Sequence, residues 1–204
     1  ACAPYRRLHL CSHNLESIDT KNYDSGNAKH KLLAEVCMAA KFEAESLINY
    51  RAQYDATYPD SPSQICTMLA RSFADIGDIV RGKDLFRGNN KEKDRLQSTL
   101  KRIFQKIYNN LMEDLKKDPT KELKGKERYK DTENYFQLRE DWWNNNRKMV
   151  WYAITCGAAG GKYFRKTCGI NDTWTEGNCQ CAAGDVPTYF DYVPQYLRWF
   201  EEWA

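Results

Sequence analysis

His9, Cys11 and His13 alternate in "HLCSH", and on a strand that alternation would place two imidazoles and a thiolate on one face, three donors that zinc accepts. A tetrahedral structural site needs a fourth ligand, and the sequence offers no evident source for one. The same stretch sets Cys11 beside His13 as a nucleophile with its base, although a disulfide is the favoured use of Cys11. "CGAAGGK" ends like a phosphate-cradling loop, but Cys156 stands where the first glycine belongs. Tyr163 follows Lys162, so no hydroxyl is placed for magnesium, and the segment follows a helical pattern where a strand is required. No nucleophile elbow or metalloprotease motif occurs, and the three histidines, His9, His13 and His30, all lie near the start. The expectation is a protein that is no enzyme and holds no metal or cofactor.

Charge offers a different chemistry. Net charge is only +3, but residues 81–130 carry 16 Lys and Arg against 8 Asp and Glu. This surplus of eight positive charges is balanced by an acidic remainder, so the chain is polarised along its length. A zone of that sign attracts polyanions. A solvated helix face followed by a lysine-rich loop is the competing reading. The candidate cations are Lys91, Lys93, Arg95, Lys101, Arg102 and Lys106, then Lys121, Lys124, Lys126 and Lys130.

The elements that would position these groups read as helices. Leu33, Val36, Cys37, Ala40, Ala44, Leu47 and Ile48 recur at spacings of three and four, marking a long amphipathic helix over 28–54. Ser61 fits an N-cap and Pro62 a first helical position, before a second helix marked by Ile65, Leu69, Phe73, Ile76 and Val80. Leu96, Leu100, Ile103, Phe104, Ile107, Leu111 and Leu115 make a third, with the first six candidate cations on its other face. Pro119 and Gly125 break the pattern, so 116–133 reads as an exposed basic loop. Leu138, Trp142, Met149, Val150 and Ile154 mark a fourth helix. There Trp142 and Trp151 are expected in the core and Trp143 half exposed. From Cys156 onward a glycine-rich stretch with four cysteines, Cys156 included, reads as a disulfide-stapled loop holding Trp174 and the sequon "NDT" at Asn171. A last helix starts near Pro194, with Tyr196, Leu197, Phe200 and Trp203 on its apolar side. Nothing reads as a sheet. Asp75, Asp78 and Arg81 are expected to pair with Arg139, Glu140 or Arg147 between helices.

With 204 residues and 42% hydrophobic content, the chain can bury a core. No run of about 18 apolar residues is present. The opening "ACAPYRRLHLC" and the closing "WFEEWA" read as interior sequence, so a piece of a larger protein is expected. Its eight cysteines are Cys2, Cys11, Cys37, Cys66, Cys156, Cys168, Cys179 and Cys181. An even count without a C-x-x-C pair points to disulfides and an oxidising, extracellular setting.

Five blocks occur in order: "CAPYRRLHLC", "LLAEVCMAAKFEAESL", "SQICTMLARSFADIGDIVRGKDLF", "REDWWNNNRKMVWYAITCGA" and "YFDYVPQYLRWFEEWA". Together they resemble the Duffy-binding-like domains of the Plasmodium falciparum erythrocyte membrane protein 1 variant antigens, alpha class, over nearly the whole chain. The resemblance implies an all-α, disulfide-linked helical bundle with long irregular loops. It implies the end of subdomain 1 at 1–27, the helical subdomain 2 at 28–155 and the start of subdomain 3 at 156–204. It also implies a bridge between Cys37 and Cys66, which requires the segment 54–61 to run back along the first helix; the pairing of the other six cysteines stays open. By resemblance, the protein is an adhesion domain at the surface of infected erythrocytes. Its implied partners are erythrocyte or endothelial receptors, sulfated glycosaminoglycans such as heparan sulfate, blood-group sugars or complement receptor, and host antibodies. The alternative is a structural, antigenic head supporting neighbouring receptor-binding domains.

Overall fold

A computed structural model of the chain describes residues 2–19, 25–57, 65–86 and 90–203. Two short helices, α1 (Tyr5–Leu8) and α2 (His13–Glu16), lead into the long α3 (Ala28–Thr57). Then follow α4 (Ile65–Arg81), α5 (Asn90–Leu115), α6 (Pro119–Arg128), α7 (Phe136–Thr155) and α8 (Gln195–Trp203). Single 3-10 turns occupy Ser25–Asn27 and Phe190–Tyr192, and no strand forms among the described residues, only two isolated bridges. The helix start expected at Ser61 and Pro62 lies outside the described residues.

Helix α4 is the axis of the molecule. It is buried along nearly all its length, with α1, α3, α7, α8 and the second 3-10 turn packed around it. Leu69, Phe73, Ile76 and Val80 meet Val36, Ala40 and Ala44 of α3 and Trp143, Trp151 and Ile154 of α7 in one core. Small alanines let α3 approach closely. On the other side the Phe73 ring lies 5.1 Å from Trp143 and 5.3 Å, edge-on, from Trp151. Gly77 makes this possible, because a Cβ there would sit 2.7 Å from the Trp143 ring. Trp143, expected half exposed, is fully buried, and its indole N–H donates to Asp191 at 2.8 Å. Its i+1 relation to Trp142 hid this, since α7 is covered on two sides, by α3 and α4 and by α5.

The stretch 116–133 corrects the sequence reading most plainly. It contains α6, because Asp118 and Pro119 begin a helix instead of breaking one. The Asp118 carboxylate accepts the Thr120 and Lys121 amides at 3.1 and 3.3 Å, and proline suits the first helical position. Gly125 is the point of closest approach to α5: a Cβ there would lie 2.7 Å from Leu115 Cδ1 and 3.0 Å from Met112 Cε. Beyond α6, Asp131 accepts the amides of Glu133, Asn134 and Phe136, and Tyr135 enters α7 in the left-handed region.

The disulfides correct a second expectation. Cys66 bonds Cys179 and Cys168 bonds Cys181, while Cys2, Cys11, Cys37 and Cys156 are thiols. The reason Cys37 cannot reach Cys66 is register. Ser72 of α4 donates to Glu43 of α3 at 2.7 Å, which fixes the two helices antiparallel with Cys37 about level with Asp78. That is roughly 18 Å of helix rise from Cys66, against the ~7 Å limit of a disulfide. Nor does the chain run back at Tyr54, since α3 continues to Thr57.

Candidate glycan-binding surface

Helix α5 sorts its side chains by face. Leu96, Leu100, Ile103 and Phe104 enter the core, and the opposite side carries cations. At 3.6 residues per turn, Lys91, Arg95, Arg102 and Lys106 fall within roughly 60° of one another, a stripe about 20 Å long. Lys91, Arg95 and Arg102 are exposed and Lys106 is half buried. The other two candidates on this helix leave the stripe. Lys101 stands about a third of a turn away, where its charge helps hold the Asp131 carboxyl below its ordinary value, an effect led by the Asn134 amide. Lys93 points to the far side and donates to the Asp84 carbonyl at 3.0 Å.

Helix α6 uses its cations locally. Lys121 pairs with Asp118 at 3.3 Å and Lys126 with Glu122 at 2.6 Å, both one turn apart on the exposed helix surface. Arg128 grips Asp141 of α7 with two 2.7 Å bonds, and Tyr129 adds a third at 2.9 Å. Lys124 and Lys130 are exposed. Of the ten cations grouped from sequence, four share one face of α5, Lys121 and Lys126 make pairs one turn away, and Lys93, Lys101, Lys124 and Lys130 stand apart from both sets.

At the N-terminal end of the stripe lies a cleft of about 380 Å³ whose lining includes Arg7, His13, Glu16, Asp84, Lys93 and Arg95. Arg7 and His13 come from α1 and α2, 80 residues away in sequence, which is why charge counting along the chain could not group them. Arg7 is held by Asp84 in two bonds of 3.1 and 2.5 Å. His9, Cys11 and His13 lie in short helices and turns instead of on a strand, and no group of metal-ligating side chains forms among the described residues.

The acidic residues of α4 serve packing. Asp75 pairs with Arg6 at 2.7 Å and Arg198 at 2.6 Å, and Asp78 with Arg198 at 2.6 Å and Arg81 at 2.8 Å. Burial opposes the Asp75 charge, yet Arg6 and Arg198 hold its carboxyl below the ordinary value; for Asp78 burial outweighs its partners and the shift is upward. Of the pairings expected from sequence, only Arg81 with Glu140 forms, at 3.6 Å. Arg147 instead bonds Asp191, while Arg139 bonds Gln97 and lies over the Phe104 ring. Burial, only partly opposed by the Asp131 carboxylate, lowers the Arg139 pKa to about 10.

An α-helical body around α4, a disulfide-stapled extension and outward-facing charge define the class of domain. Residues 1–198 match the family model of the Duffy binding domain, and the chain belongs to that family. It is similar to the NTS-DBL1α1 domain of P. falciparum membrane protein 1 (PfEMP1) from the varO strain, at 44% identity and a TM-score of 0.76. That match covers 100% of this chain and 43% of the other. The N-terminal NTS-DBL1α and CIDRγ double domain of the same strain matches at 44% identity and a TM-score of 0.78, covering 100% of this chain and 27% of that one. A PfEMP1 DBLβ domain solved bound to human ICAM-1 is 31% identical with a TM-score of 0.68, over 97% of this chain and 38% of its own. This chain spans less than half the length of each. No curated protein matches it.

Proposed function

We propose that this chain is part of an extracellular adhesion domain displayed on infected erythrocytes, and that it grips sulfated glycan through the α5 stripe. The stripe carries the proposal: Lys91, Arg95, Arg102 and Lys106 stand on one outward face of a helix whose opposite face is locked in the core. Cations held on one face at intervals of one, two and one turns can meet the sulfates of heparan-type chains, and each neutralised sulfate releases a counterion, as in phosphate-backbone binding. Lys101 flanks the stripe, and Lys121, Lys124, Lys126 and Lys130 extend the positive field beyond it. In keeping with the helix boundaries, 1–27 is assigned to the end of a first subdomain, 28–155 to a second and 156–204 to the start of a third.

The test is binding to immobilised heparin across a salt series, wild type beside a Lys101→Glu, Arg102→Glu, Lys106→Glu variant. Steep salt dependence in the wild type, flattened in the variant, is the expected result. Equal binding by both places the contact elsewhere. A second reading, a head domain that supports its neighbours, draws on the relative solved as a tandem of two domains. Absence of heparin binding by either protein at low salt would favour it.

A further inference from the structure

The stapled segment presents a second surface, on which side chains divide cleanly into anchors and projections. Its backbone is pinned by Cys168–Cys181 and Cys66–Cys179, and by paired amide bonds between Cys168 and Thr173, both 3.0 Å. Side-chain bonds add to this. Tyr163 N–H donates to Thr175 at 2.9 Å, and the Thr167 hydroxyl donates to the Pro187 carbonyl at 2.6 Å. Lys162, Arg165, Lys166, Ile170 and Trp174 project from this frame into solvent. Trp174 is 49% exposed, and the Lys166 ammonium stands 5.7 Å from the centre of its ring.

We infer that Trp174 with Lys166 forms a binding site for an acidic oligosaccharide, separate from α5. The half-exposed indole offers apolar surface to the C–H side of a pyranose. The ammonium over the ring supplies a cation for a carboxylate or sulfate on the same or the next sugar. The frame is rigid before binding, so little ordering entropy opposes the contact. The α5 site needs arrayed charge alone; this one needs an aromatic face as well, so the two differ in how salt affects them.

The test uses the wild-type chain, Trp174→Ala, Trp174→Phe, Lys166→Glu and the α5 triple variant, titrated by calorimetry with a heparin-derived tetrasaccharide and with sialyllactose. Trp174→Ala is expected to weaken binding of at least one of them about tenfold, the scale of an aromatic stacking contact. Trp174→Phe should retain most of the affinity, and Lys166→Glu should lower it at least threefold without touching the disulfide frame. The α5 variant should leave this contact in place, so loss at α5 and loss at Trp174 fail separately. Unchanged affinity in both Trp174→Ala and Lys166→Glu overturns the inference. So does failure of the wild type to bind either sugar, or binding to phosphatidylserine vesicles in their place.

Discussion

The helical body and the stapled extension solve the same problem with opposite means. Around α4, order comes from volume: Phe73, Trp143 and Trp151 pack together where Gly77 leaves room, and most buried charges are held in ionic sets such as Asp75 with Arg6 and Arg198. From 156 to 184 few large side chains are buried, and order comes from two sulfur bridges and hydroxyl-to-backbone bonds. The two regions meet at Cys66–Cys179, where the Trp151 indole also donates to the Cys179 carbonyl at 3.2 Å. What this teaches is that the extension can vary its outward residues freely provided its anchors persist, whereas the bundle cannot.

Breaking the junction should have the largest effect. Replacing Cys66 and Cys179 together by serine removes a crosslink closing 113 residues. Loop entropy then predicts a loss of about 4–5 kcal/mol, read as a lower denaturant midpoint. An unchanged midpoint would mean that the extension is not coupled to the bundle. Trp143→Ala comes next, at about 3–5 kcal/mol, because it leaves a cavity where a fully buried indole packs on Phe73 and removes one of the hydrogen bonds to Asp191, which keeps Arg147. Gly77→Ala in the same place should cost about 1–3 kcal/mol through the clash alone, so melting curves of the two separate lost contact from overpacking. The smallest effect is expected at Asp141, whose carboxyl is held below its ordinary 3.8 first by the Arg128 hydrogen bonds. A depressed folded value gives stability that is present above 3.8 and lost as pH falls through the folded pKa. The melting difference between wild type and Asp141→Asn should therefore be small at neutral pH and vanish in acid.

Periodic residues made the bundle legible in advance. The spacing of Leu96, Leu100, Ile103 and Phe104 placed α5 and its cationic face, and the all-α class followed. Features that depend on contact between distant segments were hidden. Cys66 carries no sign in sequence that its partner is Cys179 instead of Cys37, because the choice is set by the antiparallel register of α3 and α4. Pro119 and Gly125 read as breakers because their roles, a helix start and a close approach to Leu115, exist only once α5 is beside them. Helical periodicity sets Lys91, Arg95, Arg102 and Lys106 on one face of α5, but Lys93 and the α6 lysines were added by proximity in sequence, which says nothing about neighbouring carboxylates.

The Cys66–Cys179 bridge also sets a load path. A pull entering the chain before Cys66 and leaving after Cys179 crosses one sulfur–sulfur bond. The helices α5, α6 and α7 lie inside the closed loop and carry none of that tension. The cationic stripe on α5 thus lies off the covalent path of a pull between the two ends of the chain.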